Sequence, residues 1–363
     1  MKRFGANKDM VMEDFGRQIR LFEQLAAKHK IDFFCPDYIK KETKVIKRNG
    51  IRYIIRPVSI FLLVPLYNSL RKLIKKEEYD IIIASSDPLI GIIGHYFSKK
   101  FKIPLAYDLQ DNFEIYDTYK IPFVGYLDKQ VIKNAHIVFT VSISLKEYIS
   151  RLRKKPTYII QNGVDLSLFR KANKKIARKK LGLPLNGKII VYIGEISKLK
   201  GAPIMLDAFE KVKKRLPQTY LLLSGFVQKD LNIKRPNIII KELPKRWDVV
   251  NALNASDVAL LPNFDNSFSK YCFPYKVMEY MAVDLPIVAT SISDMKMLFS
   301  KAKNSLCKPN DPEDMAKCII ANLNSKQTVS YKKDIKEYSW KNLAKKIEKA
   351  INSLKSRNNN LLS

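Results

Sequence analysis

Apolar runs of four to six residues alternate with helix-length periodic segments along almost the whole chain, and no other feature constrains the fold as tightly. Strands covered by helices on both faces must be apolar on both, so they read as continuous Val/Ile/Leu runs. In the first half these runs are Ile31 to Cys35, Ile51 to Ile55, Asp80 to Ala84, Ile103 to Tyr107, Ile137 to Val141 and Tyr158 to Ile160. In the second half they are Ile189 to Ile193, Tyr220 to Leu223, Asn237 to Ile240, Val258 to Leu261, Ile287 to Ala289 and Ser305 to Cys307. Helical segments lie between them. In Asp14 to Lys28, Phe15, Ile19, Phe22 and Ala26 recur at i, i+4, i+7 and i+11, and after Gly201 one face carries Met205, Ala208, Phe209, Val212 and Leu216. The expected class is α/β, with two doubly wound domains.

At 363 residues the chain is long enough for two domains, each with its own core. The pattern is interrupted over Arg170 to Lys188, where Lys-rich sequence is followed by Leu-Pro-Leu-Asn-Gly. This puts an N-terminal domain at 1–170, a C-terminal domain at 171–335 and a terminal helix at 336–363. A domain of this type begins with its central strand, yet Met1 to Val11 holds no apolar run that could form one. Either the true start lies upstream or a shortened segment such as Arg3 to Ala6 fills in. Without the strand, the middle of the first sheet is incomplete and stability suffers.

Charge narrows the partners. The chain has 66 Lys+Arg against 35 Asp+Glu, a formal +31, with basic runs at Lys40-Lys41, Arg71-Lys72, Lys75-Lys76, Arg151 to Lys155 and Arg170 to Lys180. Such a field attracts nucleic acid or an anionic bilayer, or it is the solvated face of a lysine-rich protein. No helix-turn-helix, finger or RNP-like signature accompanies it, so nucleic acid is disfavoured. Ser59 to Leu70, apolar and running into Arg71-Lys72-Leu73-Ile74-Lys75-Lys76, has the layout of an interfacial helix with a basic flank. The longest apolar run, Ile60 to Tyr67, is too short to span a bilayer and contains a proline, and the first twenty residues hold no cleavable signal. The expected location is cytoplasmic, peripheral on the inner face of the membrane. Four scattered cysteines and three histidines show no metal spacing, so no metal is expected.

Two segments carry chemistry. Phe273 to Ala282 opens a helix whose Lys276 and Glu279 packing does not require, before the buried strand Ile287 to Ala289. A carboxylate there can accept from two vicinal hydroxyls of a ribose or sugar. An exposed i,i+3 ion pair worth about 0.2–0.5 kcal/mol is the plain alternative. The second segment, Gly194-Glu195-Ile196-Ser197-Lys198-Leu199-Lys200-Gly201, links a strand to a helix start that favours an anion, with Lys200 adding a positive charge. Its alternative is a plain turn with a solvated lysine. Taken together, phosphate on Lys200 and ribose on Glu279 describe one nucleotide diphosphate. In the first half, Asp108 and Asp111 stand three apart after a buried run, Asp111 also being a candidate N-cap.

The ordered blocks Gly194 to Gly201, Leu222-Leu223-Ser224-Gly225, Ser256 to Pro262 and Pro274-x-Lys276-x-x-Glu279-Tyr280-Met281-Ala282 resemble those of glycosyltransferase family 4 (group 1). Val138 to Ser142, Asn162-Gly163-Val164-Asp165 and Ser339-Trp340-Lys341-Asn342-Leu343 extend the resemblance over most of the chain. It implies the GT-B fold: two facing Rossmann-like domains with a deep inter-domain cleft, the first binding the acceptor, the second the nucleotide sugar, and a terminal helix crossing back to the first. It implies a retaining, hexosyltransferase-like enzyme that moves a sugar from a nucleotide-diphosphate sugar to a glycan or lipid-linked acceptor in cell-surface polysaccharide or glycolipid assembly, without a metal or other cofactor. Donor-binding residues would be Gly16, Arg17, Gly194, Lys200, Lys276 and Glu279, with Lys200 stabilising the leaving group and Asp108 near the reacting centre as sugar contact or base.

Two positions depart from the family pattern. Glu195 stands where members carry an arginine, so Arg17 would supply that charge, and Tyr271 stands where many carry a second Glu that contacts the sugar. Asp111, Glu195 and Tyr271 become possible sugar or acceptor contacts. The alternatives are a catalytically inactive GT-B scaffold and a polyanion- or nucleic-acid-binding protein.

Overall fold

The structure, a computed structural model, describes residues 1–5 and 8–359. The chain divides into two compact units, Met1–Gln161 together with the chain from Trp340 onward, and Asn162–Ser339. The division falls at Gln161/Asn162, ahead of the seam expected at 170/171. Asn162 and Val164 explain why: the Asn162 amide donates to the carbonyl of Phe273 at 2.5 Å, and the Val164 N–H donates to Tyr338 at 3.0 Å, both partners lying in the second unit.

In the first unit the elements are β1 (Phe4–Gly5), β2 (Lys8–Asp9), α1 (Arg17–Glu23), β3 (Ile31–Asp37), β4 (Lys44–Arg48), β5 (Ile51–Pro57), α2 (Leu63–Glu77), β6 (Ile82–Ser85), α3 (Pro88–Phe101), β7 (Leu105–Leu109), α4 (Val124–Asn134), β8 (Ile137–Thr140), α5 (Ile143–Ser150) and β9 (Thr157–Ile159). The expected strands are present, and β6, β7, β8 and β9 form a parallel sheet in that order. β3 and β5 pair in parallel, with β4 antiparallel on the outer edge of β5. β4 has no apolar run because it is a solvated edge, and lysines suit such an edge. Asn49 and Gly50, both at positive φ (49° and 77°), make the tight turn that joins it to β5.

The short N-terminal strand did not fill the centre as Arg3 to Ala6 would. Phe4–Gly5 turns aside and pairs antiparallel with Lys8–Asp9, while Ala6 lies outside the described residues. The turn is held by Arg3, 1% exposed, whose guanidinium binds Asp9, Asp37 and Glu42 at 2.7–2.9 Å.

The second unit comprises α6 (Lys174–Leu181), β10 (Lys188–Ile193), α7 (Ala202–Arg215), β11 (Thr219–Ser224), β12 (Ile238–Ile240), α8 (Arg246–Ala255), β13 (Val258–Leu261), α9 (Tyr275–Ala282), β14 (Ile287–Thr290), α10 (Met295–Leu298), β15 (Leu306–Cys307), α11 (Pro312–Asn324) and α12 (Lys332–Ile335). Its sheet is parallel in the order β12-β11-β10-β13-β14-β15. Ile190, Tyr192, Leu221, Leu223, Val258 and Leu260 bury their side chains against Met205, Phe209 and Val212 of α7. The last helix, α13 (Trp340–Asn359), belongs to the first unit and packs on α1, and its Glu348 meets His29, in the turn before β3, at 3.1 Å.

The order of the second sheet reverses between β10 and β13: the chain leaves β10 toward β11 on one side and β13 toward β14 on the other. Two loops therefore part at the carboxyl ends of these neighbouring strands, and the crevice at such a switch point is where ligands bind in sheets of this kind.

Candidate donor site

The two segments singled out in the sequence meet at that switch point. The loop after β10 begins at Gly194, φ +133°, and a Cβ there would stand 2.7 Å from Nζ of Lys276. It ends at Gly201, φ +80°, where a Cβ would collide with the carbonyl of Pro262 at 1.7 Å. Gly225 at the end of β11 is pressed against the carbonyl of Gly194 in the same way, at 2.1 Å. Only glycine lets these three backbones close on one another.

Lys276 and Glu279 do not form the surface ion pair that their spacing allows. Lys276 is half-buried, its ammonium 3.9 Å above the centroid of the Tyr192 ring. Burial, then repulsion from Lys200, lowers its pKa to about 7. Lys200 lies 3.4 Å over the ring of Phe268, a cation–π contact that fixes a charge on a short 3-10 turn. Glu279, 13% exposed, is raised in pKa by burial and receives Arg246 at 3.1 Å, while the Arg246 guanidinium lies 4.8 Å over Phe169. The hydroxyl of Tyr280 accepts the N–H of Ile193 at 3.4 Å and ties α9 to the end of β10. α9 itself starts at Pro274 without a side-chain cap, so its positive end adds to the two lysines. Two ammonium groups that repel each other beside a buried carboxylate form a site that gains from a bound polyanion bearing hydroxyls.

Glu195 is exposed, and its carbonyl, not its carboxylate, is engaged, accepting from Tyr192 at 2.7 Å. Tyr271 is half-buried, with Lys270 5.9 Å from its ring. Arg246, Tyr192 and Phe268 were not singled out in the sequence. Arg246 carried one usable signal, a basic pair Lys245-Arg246 at the start of a helix that follows a strand's carboxyl end. The two aromatics read as ordinary core and loop residues.

The first unit has its own cluster at the carboxyl edge of β6 and β7. Gly16, φ +126°, precedes α1. Arg17, 1% exposed, binds Oδ1 of Asp108 at 3.0 Å and the carbonyl of Ile160, and Ser85 donates to Oδ2 of Asp108 at 2.7 Å. Gln18 continues the network to Ser85 and Gln110. Arg17 and Asp108 thus neutralise each other. The pair keeps both groups at the carboxyl edge of the sheet where the sequence placed them, and removing one partner of a buried pair costs about 3–5 kcal/mol. Asp111 accepts from Tyr116 at 2.9 Å, and the neighbouring Asn112, not Asp111, caps the turn that follows. Among the described residues no group of three or more His, Cys, Asp or Glu could hold a metal ion.

Residues 187–325 match the family described as glycosyl transferases group 1, and residues 19–168 match Glycosyltransferase Family 4. A Bacillus subtilis glycosyltransferase named for teichuronic acid biosynthesis is 27% identical over 193 residues, 53% of this chain and 48% of that protein. The chain thus spans about half the length of that relative. The Escherichia coli UDP-Gal:alpha-D-GlcNAc-diphosphoundecaprenol alpha-1,3-galactosyltransferase is 25% identical over 274 residues, 69% of this chain and 68% of that one. The crystal structure of Anabaena HepE in complex with UDP superposes with a TM-score of 0.75 at 16% identity, covering 93% of this chain and 96% of that chain, a likeness of fold. With both halves matched by their own family profiles in the expected order, the chain belongs to the group 1 glycosyltransferases of family 4 and has the GT-B fold.

Proposed function

We propose that the protein transfers a glycosyl group from a nucleotide-diphosphate sugar, with UDP as the first nucleotide to test, to a glycan or lipid-linked acceptor in the assembly of a surface polysaccharide or glycolipid. The opposed lysines Lys200 and Lys276 at the β10/β13 switch point, with Glu279 one helical turn further, carry the reading. Relatives named for teichuronic acid biosynthesis and for a diphosphoundecaprenol acceptor support the acceptor class, and the UDP complex of HepE supports the nucleotide. In this reading Glu279 exchanges Arg246 for the two ribose hydroxyls, and the lysines take the diphosphate. The bond from the anomeric carbon to the phosphate oxygen breaks with its electrons left on the diphosphate, where fixed positive charge stabilises them. The acceptor oxygen bonds to the anomeric carbon on the same face, so configuration is retained, and its proton passes to the departing phosphate oxygen. No step calls on a metal.

A thermal-shift series with UDP, GDP and ADP tests the donor half. UDP at 100 times its Kd adds about 2.7 kcal/mol, a rise of several degrees. Glu279→Ala removes that rise. A shift of equal size in the variant would mean that the nucleotide sits elsewhere, and no shift with any of the three would favour a scaffold.

Peripheral membrane binding is supported by a separate observation. Phe61 is 94% exposed, Val64 68% and Leu63 53%, ahead of the exposed Arg71, Lys72, Lys75 and Lys76 on α2, and no helix among the described residues is long and apolar enough to cross a membrane. An apolar tip with a basic flank suits an anionic interface. The wild type should float with vesicles containing anionic lipid, and Phe61→Glu with Val64→Glu should stay in the pellet fraction. Flotation unchanged by the substitutions would locate the contact elsewhere, and no flotation at all would remove the reading.

A further inference from the structure

Positive charge reaches the Glu279 carboxylate from two elements of the second unit. Lys276 stands one turn earlier on α9, next to Lys200. Arg246 comes from the first residue of α8, beyond the carboxyl end of β12, and its Nη1 donates to Oε1 of Glu279 at 3.1 Å. Burial raises the pKa of Glu279, and Arg246 and then Lys276 oppose that rise. The Arg246 guanidinium is also held from behind. It lies 4.8 Å from the centroid of the Phe169 ring, which is 1% exposed. Asp165, four residues before Phe169, is fixed by the Ser167 N–H at 2.9 Å and its hydroxyl at 2.6 Å. Burial of Asp165 is outweighed by these bonds and by the charge of Arg246, so its pKa is lowered. The Arg246 side chain is nonetheless 55% exposed, which leaves the rim of the guanidinium open to a ligand.

In the donor reading above, on which this inference rests, the ribose diol takes the Glu279 carboxylate and the diphosphate takes the two lysines. The N–H that Arg246 gave to Glu279 is then released, while Phe169 and Asp165 keep the guanidinium in place. The next acceptor within its reach belongs to the base, which is bonded to the ribose carbon beside the diol. We propose that Arg246 selects the nucleobase by donating to a ring carbonyl, and so favours a keto base, uracil, over an amino base of the same size, cytosine. A guanidinium has N–H donors and no acceptor. Uracil and cytosine share the carbonyl beside the ribose and differ on the far edge, where one carries a carbonyl and the other an amine. Turned toward that edge over the Phe169 face, the fork pairs with the carbonyl of uracil and meets the amine of cytosine donor to donor. Because the planar fork already rests on an aromatic ring, little side-chain freedom is lost on binding. Guanine shares the carbonyl, so the contact separates keto from amino bases and leaves size to the rest of the crevice.

Calorimetric titration of the full chain with UDP, CDP and inorganic pyrophosphate, in the wild type, Arg246→Met and Arg246→Lys, tests the assignment. The wild type is expected to bind UDP about tenfold or more tightly than CDP. Arg246→Met should bring the two nucleotides within about threefold of each other and change the pyrophosphate Kd by less than about twofold. UDP and CDP share ribose and diphosphate, so any change at Glu279 cancels in their ratio. Arg246→Lys keeps the charge without the fork and should retain only part of the preference. Equal binding of UDP and CDP by the wild type, or a UDP preference kept by Arg246→Met, would overturn the assignment. So would a loss of pyrophosphate binding in Arg246→Met as large as the loss of UDP, which would make Arg246 a phosphate contact. If Arg246→Met does not fold, an undiminished preference in Arg246→Lys overturns it. UDP binding unchanged by Glu279→Ala would instead bring down the donor reading, and this inference with it.

Discussion

Lys200→Ala should lower kcat for sugar transfer by about 10²–10³, with a much smaller change in KM for the donor. The reason lies in how the charge is held. Nζ of Lys200 rests over the Phe268 ring on a turn closed by Gly201, so it does not have to be reoriented as negative charge develops on the diphosphate. The substituted side chain is half-buried and supports no core contact of the sheet, so the fold should be kept and the melting temperature nearly unchanged. Lys200→Arg restores charge but not the position of a compact ammonium, and should recover only part of the loss. A kcat within threefold of wild type for Lys200→Ala would remove Lys200 from the leaving-group role.

Lys276→Met should move stability and binding in opposite directions. In the unliganded protein the pKa of Lys276 is lowered from 10.5 to about 7, so holding its ammonium in the folded state costs on the order of a few kcal/mol below pH 7. Because the folded value lies below the unfolded one, the unfolded chain binds more protons between them. The cost is therefore fully present below about pH 7 and is relieved as pH rises toward 10.5. Methionine removes it, so the variant should melt several degrees higher at pH 6.5 and lose the wild-type gain in stability across that window. Binding runs the other way. A diphosphate favours the ammonium and raises its pKa in the complex, so UDP affinity should be greatest below pH 7 and fall as pH rises through it, with proton uptake near pH 7.5. Calorimetry in two buffers of different ionisation enthalpy measures that uptake, which Lys276→Met should abolish along with most of the affinity. An unchanged proton count in the variant would place the titrating group elsewhere.

Most of the fold was legible because buried parallel strands are written as uninterrupted apolar runs, and Ile189 to Ile193 or Val258 to Leu261 could be little else. β4 escaped since an edge strand owes nothing to burial on its outer side. Asn49-Gly50 was its one mark. That Gly194, Lys276 and Glu279 come close together was readable because each lies in a segment at the carboxyl edge of the same sheet. Arg246 was not, because its contact with Glu279 joins two helices separated by a strand in sequence. Arg17 and Asp108 show the converse. Their positions at a sheet edge were readable, but their mutual neutralisation depends on a distance of 3.0 Å between residues far apart in the chain.

The second unit begins and ends side by side, since Val164 forms a parallel bridge with Ser339. Before it folds, α13 must find α1 across a loop of about 180 residues between Gln161 and Trp340. Once it has folded, the same two points are held a few residues apart, and the entropy of closing that loop falls by on the order of 3 kcal/mol. The docking of α13 on α1 is thus favoured by the folding of the unit inserted ahead of it, and a substitution that unfolds the second unit should loosen the final helix of the first as well.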